Sequence, residues 1–235
     1  MRAALLAGCL FAASGAYAAY PLVTEDTGTQ GRGNWQLEAT SEVATLQGGR
    51  VTSANLVLNY GLSESADLQL VLPWYSGELQ GFGDPQVNVK WRLWERGPWS
   101  IGVKPSLILA GGDPDKGTGT GETNWAVTLI GGYESGNLSV NVDTLYQRNQ
   151  NPFGARDSLR HISAGVLYQV GAVQLVADFT RETPLDPSVD EAARYNVLGA
   201  IWRLRPDFGV GIGYKEGRGG TDLKHSWLFG AALRW

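Results

Sequence analysis

The residues of this chain that could carry chemistry are ionisable side chains at every second position of short runs. Lys90 and Arg92, for example, flank Trp91. Alternate side chains of an extended strand point to opposite faces, so one face is charged and the other is apolar. Inside a closed sheet, such charges could form the selective wall of a pore or fill a narrow lumen as ion pairs. The candidate lumen-lining residues are Glu38, Glu42, Asp67, Lys90, Arg92, Lys104, Asp143, Asp178, Lys215 and Arg234.

These charges are of both signs, so we expect no strong preference for anions or for cations. Asp67 and Arg92 are expected to be neighbours, because one begins a strand and the other ends the next strand of an antiparallel pair. Pore selectivity and structural pairing both remain open at this point. A barrel of intermediate size favours a narrow or plugged channel over an open porin.

The alternation defines the strands that must position these side chains. It begins near residue 34, is clearest over residues 86–93, and continues to Trp235. In the tenth run we expect Tyr195, Val197 and Ile201 to face outward. Short turns alternate with longer polar loops, as in outer-membrane barrels. The prediction is an all-β fold, a transmembrane antiparallel β-barrel of about 12 strands and of the bacterial outer-membrane type.

The last strand favours a membrane over water as the solvent of the apolar face. Trp227, Phe229, Leu233 and Trp235 share one face, and the chain ends on an aromatic residue. That face would be an exposed apolar band in water, whereas transmembrane strands turn it to lipid. A soluble barrel would instead pack its apolar faces inward. We predict contact with outer-membrane lipids, and recognition of these four residues by the barrel-assembly machinery as an assembly signal.

The first residues predict export. Arg2, the apolar run 3–13 and Ala16-Tyr17-Ala18 have the organisation of a secretory signal peptide, 1–18. The alternative is a lipidated Cys9, which follows Leu6-Ala7-Gly8. Cleavage after Ala18 leaves a lead segment, 19–33, that either plugs the lumen or is disordered in the periplasm, and then the barrel, 34–235. The net charge of −4 argues against a nucleic-acid partner.

Two motifs resemble a phospholipase site and a calcium-binding loop, but neither meets the requirements of that site. His161-Ile162-Ser163 has the His-x-Ser spacing of outer-membrane phospholipases, but the alternation turns both polar residues inward. No acidic residue is evident to orient the histidine, as a nucleophile requires. Asp113 and Asp115 lie in a glycine-rich loop whose spacing does not match a calcium-binding loop. We therefore predict no enzymatic activity, no cofactor and no metal site.

Three segments resemble a known family. In chain order they are Pro21–Gly31 ahead of Trp35–Glu38, then Gly81–Asp84 with Lys90–Leu93, then Pro105–Leu109 with Gly112-Asp113. They resemble the outer-membrane transporters named for the meta-pathway of phenol degradation, although Gly111 stands where that family usually has Pro-Thr before its Gly-Asp. The resemblance implies an outer-membrane barrel with a transport role and brings no catalytic residues. The expected function is a channel for small, hydrophobic or aromatic solutes, and the alternative is a sealed structural barrel.

Overall fold

Alternating apolar and polar residues form twelve long antiparallel strands. A computed structural model describes residues 20–150 and 156–235. The strands are β1 Trp35–Leu46, β2 Arg50–Ser63, β3 Ala66–Gly77, β4 Gln86–Arg96, β5 Trp99–Ile108, β6 Asn124–Ser135, β7 Leu138–Arg148, β8 Ser158–Val170, β9 Val173–Glu182, β10 Ala193–Arg205, β11 Phe208–Gly219 and β12 Leu223–Arg234. A two-residue strand, Gly81–Phe82, also pairs with β3. The signal-peptide prediction, 1–18, lies outside the described residues.

The sheet closes on itself. Each long strand pairs with its neighbours in sequence, and β1 also pairs with β12, from Gln36 opposite Arg234 to Leu46 opposite Leu223. Each long strand in the described part of the chain is therefore paired on both sides, as a lipid environment requires. The twelve-stranded all-β barrel predicted from the sequence is confirmed.

Apolar side chains cover the outside of the barrel. Trp91, Leu129 and Ile162 are 52%, 55% and 59% exposed, respectively. A continuous apolar surface of this kind is unfavourable in water and matches the hydrocarbon core of a bilayer. Within the described residues, no helix has the length and apolarity needed to cross a membrane.

The two ends of the barrel differ in their connections. At one end, tight turns join the strands, and Gly97, Gly136 and Gly171 adopt φ angles of 59°, 60° and 59° there, a region that favours glycine. The first and last strands also meet at this turn end, where Trp35 N donates to Trp235 O at 2.8 Å. Longer loops, such as residues 109–123 and 183–192, lie at the opposite, loop end. Outer-membrane barrels carry their short turns on the periplasmic side.

Strand β10 faces the opposite way from the prediction. Val197 and Ile201 are 1% and 4% exposed and point into the barrel, whereas Leu198 and Trp202 are 68% and 54% exposed on its outside. The reason is an apolar cluster inside the lumen, in which Ile201 packs with Leu22, Leu167 and Val176. A core contact from a distant segment therefore determines the orientation of this strand.

Candidate functional site

The residues before β1 lie inside the barrel. Tyr20–Arg32, called the inner segment below, ends beside β2, where a side chain on Gly61 would collide with the carbonyl oxygen of Gly31. Near its middle, Thr27 Oγ1 lies 2.6 Å from Ser100 Oγ of β5. At its other end, the Tyr20 hydroxyl donates to the carbonyl of Ser41 in β1 at 3.0 Å. The inner segment thus follows the inner wall around most of the barrel.

Three buried carboxylates, Asp67, Asp143 and Asp178, hold the backbone of the inner segment. They are called the aspartate clamp, and they are 1%, 3% and 4% exposed. The N–H donors are Val23 (3.1 Å) and Thr24 (2.8 Å) to Asp178, Glu25 (2.7 Å) to Asp143, and Gln30 (3.0 and 2.9 Å) to the two oxygens of Asp67. Hydrogen bonds from backbone N–H groups to carboxylates are stronger than those between neutral groups. The clamp therefore fixes the inner segment through main-chain contacts.

Inward-facing glycines make room for the start of the inner segment. A Cβ atom on Gly211 would lie 2.6 Å from Tyr20 O, and one on Gly213 would lie 2.8 Å from the Pro21 ring. Gly199 and Gly230 leave similar space for Pro21 and Tyr20. Glycines on three adjacent strands, β10 to β12, thus leave the space that Tyr20 and Pro21 fill.

Replacing Gly211 by Val is expected to displace Tyr20 and Pro21 from the wall, because the new side chain would occupy the space of the Tyr20 backbone. Single-channel recording of purified protein in planar bilayers should show more frequent openings. Gly209→Val is the matched control, since this glycine lies on the same face of β11 and its Cβ would meet only an ordinary 3.5 Å contact. If the two substitutions raised the opening frequency equally, the close contact of Gly211 with Tyr20 would not be what holds the inner segment against the wall.

An ion cluster joins the inner segment to the wall at mid-barrel. Lys90 Nζ lies 3.2 Å from Asp26 Oδ1 and 3.8 Å from Glu25 Oε2, and Lys104 also pairs with Glu25. Both lysine side chains are only 13% exposed. Two cations thus face two anions, as enclosed charges require.

The inner segment divides the lumen into two chambers. A turn-side chamber of about 360 Å³ is lined by Asp26–Thr29 and by the tight turn at Gly97 and Pro98. A loop-side chamber of about 320 Å³ is lined by Leu22–Asp26, Lys90 and Lys104. Asp26 lines both, so the inner segment and its ion cluster separate the two spaces.

A row of hydrogen-bonded polar side chains, called the amide ladder, crosses the wall of the loop-side chamber. Asn59 Nδ2 donates to Glu38 Oε1 at 2.9 Å, Gln69 Nε2 to Asn59 Oδ1 at 2.8 Å, and Asn88 Nδ2 to Gln69 Oε1 at 2.7 Å. These residues lie on the four adjacent strands β1 to β4. Asn59 and Asn88 are 3% and 2% exposed, whereas Glu38 and Gln69 are only partly buried. The ladder therefore presents hydrogen-bonding groups to the chamber mainly at Glu38 and Gln69.

Two segments at the loop end also meet at one carboxylate. Asp84 accepts the backbone N–H groups of Gly111 (3.1 Å), Gly112 (2.9 Å) and Thr120 (2.8 Å). Partial burial of Asp84 opposes its ionisation, but these N–H donors outweigh that effect and hold the pKa of the carboxyl below its usual value. Two of the family-like segments, one ending at Asp84 and one including Gly112, therefore meet in the structure.

All ten predicted lumen residues lie on the inner face, and most contact the inner segment. Those that contact it are Asp67, Lys90, Lys104, Asp143, Asp178 and Arg234, whose Nη2 donates to Gln30 O. Glu38 belongs to the amide ladder, Glu42 pairs with Lys215 at 2.6 Å, and Arg92 pairs with Glu95 at 3.0 Å. Lys90, and not Arg92, lies directly opposite Asp67; Arg92 is the next inward-facing residue of β4 and pairs with Glu95 instead.

His161 has the acidic partner that the sequence did not reveal. Its Nε2 lies 2.7 Å from Asp143 Oδ1. The hydroxyl of Ser163 has no hydrogen-bond partner among the described residues, so His161 does not activate it. The contact therefore ties the histidine to the aspartate clamp, and it does not form a nucleophile–base pair.

Comparison with known proteins identifies the family. The sequence profile of the family described as "Putative MetA-pathway of phenol degradation" matches residues 21–223. The chain belongs to this family. The match begins within the inner segment and ends at the start of β12. It therefore includes nearly all of the inner segment and the strands of the barrel wall up to β12. No curated protein matches the chain significantly.

Solved structures share the fold. The COG4313 outer membrane channel from Pseudomonas putida F1 has a TM-score of 0.67 at 15% identity, covering 89% of this chain and 98% of the other. The NanC porin has a TM-score of 0.64 at 14% identity, and the KdgM porin one of 0.62 at 10% identity, each covering 84% of this chain and 98% of the other. The fold is therefore that of outer-membrane channels and porins.

Proposed function

We propose that this family member is an outer-membrane channel for small solutes whose lumen is closed at rest by the inner segment. One observation carries the proposal: the inner segment lies between two polar chambers and is held there mainly by hydrogen bonds and ion pairs. Such contacts can be exchanged for water, so the inner segment can leave without dismantling the sheet. The apolar outer face and the channel-type fold support the same location.

Single-channel recording of the purified protein in planar bilayers tests the proposal. Rare, discrete openings of the unmodified protein would support it. The alternative is a permanently sealed structural barrel. That alternative would be favoured if no discrete current appeared in any salt, either with the inner segment present or after its removal.

Small hydrophobic or aromatic solutes are the proposed cargo, and the lumen favours those that carry a hydroxyl group. The family description refers to phenol degradation, and a phenol combines one ring with one hydroxyl group. The amide ladder offers partners to that hydroxyl, and the loop-side chamber of about 320 Å³ is at the lower end of the range of small-molecule sites. Reversible block of the current by phenol and a much weaker block by benzene would support this cargo class. Equal block by both would count against a role of the ladder.

We further propose that residues 1–18 direct export and that Trp227, Phe229, Leu233 and Trp235 guide assembly. Trp235 also closes the barrel, since its N–H donates to Trp35 O at 3.0 Å. Deletion of Trp235 is expected to reduce the amount of folded protein in the outer membrane several-fold, measured by heat-modifiable mobility on gels. Trp235→Phe, which keeps the aromatic end and the backbone bond, should assemble normally. Normal assembly of the deletion variant would contradict the proposed signal.

A further inference from the structure

Five arginines lie side by side on the outside of the barrel near its loop end. Their strands, β7 to β11, are consecutive in the sheet. The row consists of Arg148, Arg160, Arg181, Arg194 and Arg218. All five are exposed, and each lies on the outward face of its strand, so none of them belongs to the lumen described above.

The centre of this row places like charges directly opposite one another. Arg181 is the register partner of Arg194, and Arg194 is the register partner of Arg218. Neighbouring strands are about 4.8 Å apart, and like charges at opposed positions destabilise a sheet. A bound anion would remove this repulsion.

Acidic side chains of the chain compensate only part of the charge. Asp157 lies 3.5 Å from Arg148, Glu191 lies 3.8 Å from Arg194, and Glu216 lies 3.0 Å from Arg218. Among the described residues, Arg160 and Arg181 have no carboxylate within ion-pair distance. The guanidinium of Arg160 lies instead 5.9 Å from the centre of the Tyr146 ring.

The position of the row along the barrel indicates what the anion is. Arg148 and Arg181 lie two residues beyond the exposed aromatic residues Tyr146 and Phe179, toward the loop end. Aromatic residues of this kind mark the level of the lipid headgroups. The row therefore lies at the level of the phosphates of the outer leaflet.

We propose that the arginine row binds the phosphate groups of an outer-leaflet glycolipid of the lipid A type. This inference rests on the outer-membrane location proposed above. Guanidinium groups bind phosphate oxygens in a bidentate manner, and adjacent arginines on neighbouring strands can share a glycolipid that carries two phosphates. The apolar surface below the row accommodates the acyl chains.

The test is binding of lipid A to the purified protein in a neutral detergent, measured by native mass spectrometry. The protein should bind bisphosphorylated lipid A. The variant Arg181→Gln/Arg194→Gln/Arg218→Gln should bind it roughly 100-fold more weakly. The reason is that each of the three arginines contributes separately to the attraction of anionic lipid, and all three contributions are lost. The matched control removes three exposed cations elsewhere, Arg96→Gln/Lys116→Gln/Arg205→Gln, and should bind as the unmodified protein does.

Several results would overturn the proposal. Equal binding by the two triple variants would show that net charge, and not the row, attracts the lipid. Equal binding of dephosphorylated lipid A or of phosphatidylglycerol by the unmodified protein would exclude a phosphoglycolipid site. If the first triple variant does not fold, Arg181→Gln alone should weaken binding about fivefold. The assay measures no current, so its result is independent of whether the lumen opens.

Discussion

Deletion of residues 20–30 is expected to convert a mostly closed barrel into an open channel. The inner segment and its ion cluster separate the two chambers, and their removal joins these chambers into one water-filled path. The mean current in planar bilayers should therefore rise by about tenfold or more, because conduction requires a continuous polar path through the barrel. Single-channel recording of the purified deletion variant measures the effect.

The barrel should survive this deletion. Its closure depends on backbone hydrogen bonds between strands, in which residues 20–30 take no part. The aspartates and lysines left inside would be hydrated by the water that enters. A second variant replaces residues 20–30 by a Gly/Ser sequence of the same length. It keeps the backbone N–H groups that the aspartate clamp binds but loses the Glu25 and Asp26 side chains of the ion cluster, so it should also conduct more than the unmodified protein. Unchanged current in both variants, with heat-modifiable mobility retained, would show that the inner segment does not close the lumen.

The sequence was sufficient to predict the barrel because its signal is local. Two-residue alternation places Lys90 and Trp91 on opposite faces, and the charge of Lys90 assigns it to the inside without any information from distant residues. Strand β10 is the informative failure. Its alternation allows either orientation, and the contact of Ile201 with Leu22 decides between them. That contact joins residues far apart in sequence, so no window of β10 alone contains the information.

The partners of the lumen charges could not be predicted for the same reason. Asp178 accepts hydrogen bonds from Val23 and Thr24, which lie 155 and 154 positions earlier in the chain. The sequence did contain one unused signal. Gly199, Gly211 and Gly213 occupy inward positions, where a pore wall needs no glycine, and such positions indicate close approach of another backbone.

Asp178→Asn is expected to raise the open probability of the full-length channel about tenfold. The substitution keeps the shape of the side chain and removes the charge that strengthens the bonds from Val23 and Thr24. A loss of about 1.4 kcal/mol, or roughly 0.7 kcal/mol for each bond, is in line with the difference between hydrogen bonds to charged and to neutral acceptors and corresponds to the tenfold change. Open probability is read from single-channel recordings at constant salt and voltage.

Glu42→Gln is the matched control for this prediction. Glu42 also faces the lumen, but it pairs with Lys215 and accepts a hydrogen bond from Ser226, both on the barrel wall. Its neutralisation changes the lumen charge by the same amount and leaves the aspartate clamp intact, so open probability should stay near that of the unmodified protein. If Glu42→Gln opened the channel as much as Asp178→Asn, the overall charge of the lumen would control opening. If only Asp178→Asn does so, the hydrogen bonds from the Val23 and Thr24 N–H groups to the Asp178 carboxylate limit how often the inner segment leaves the wall.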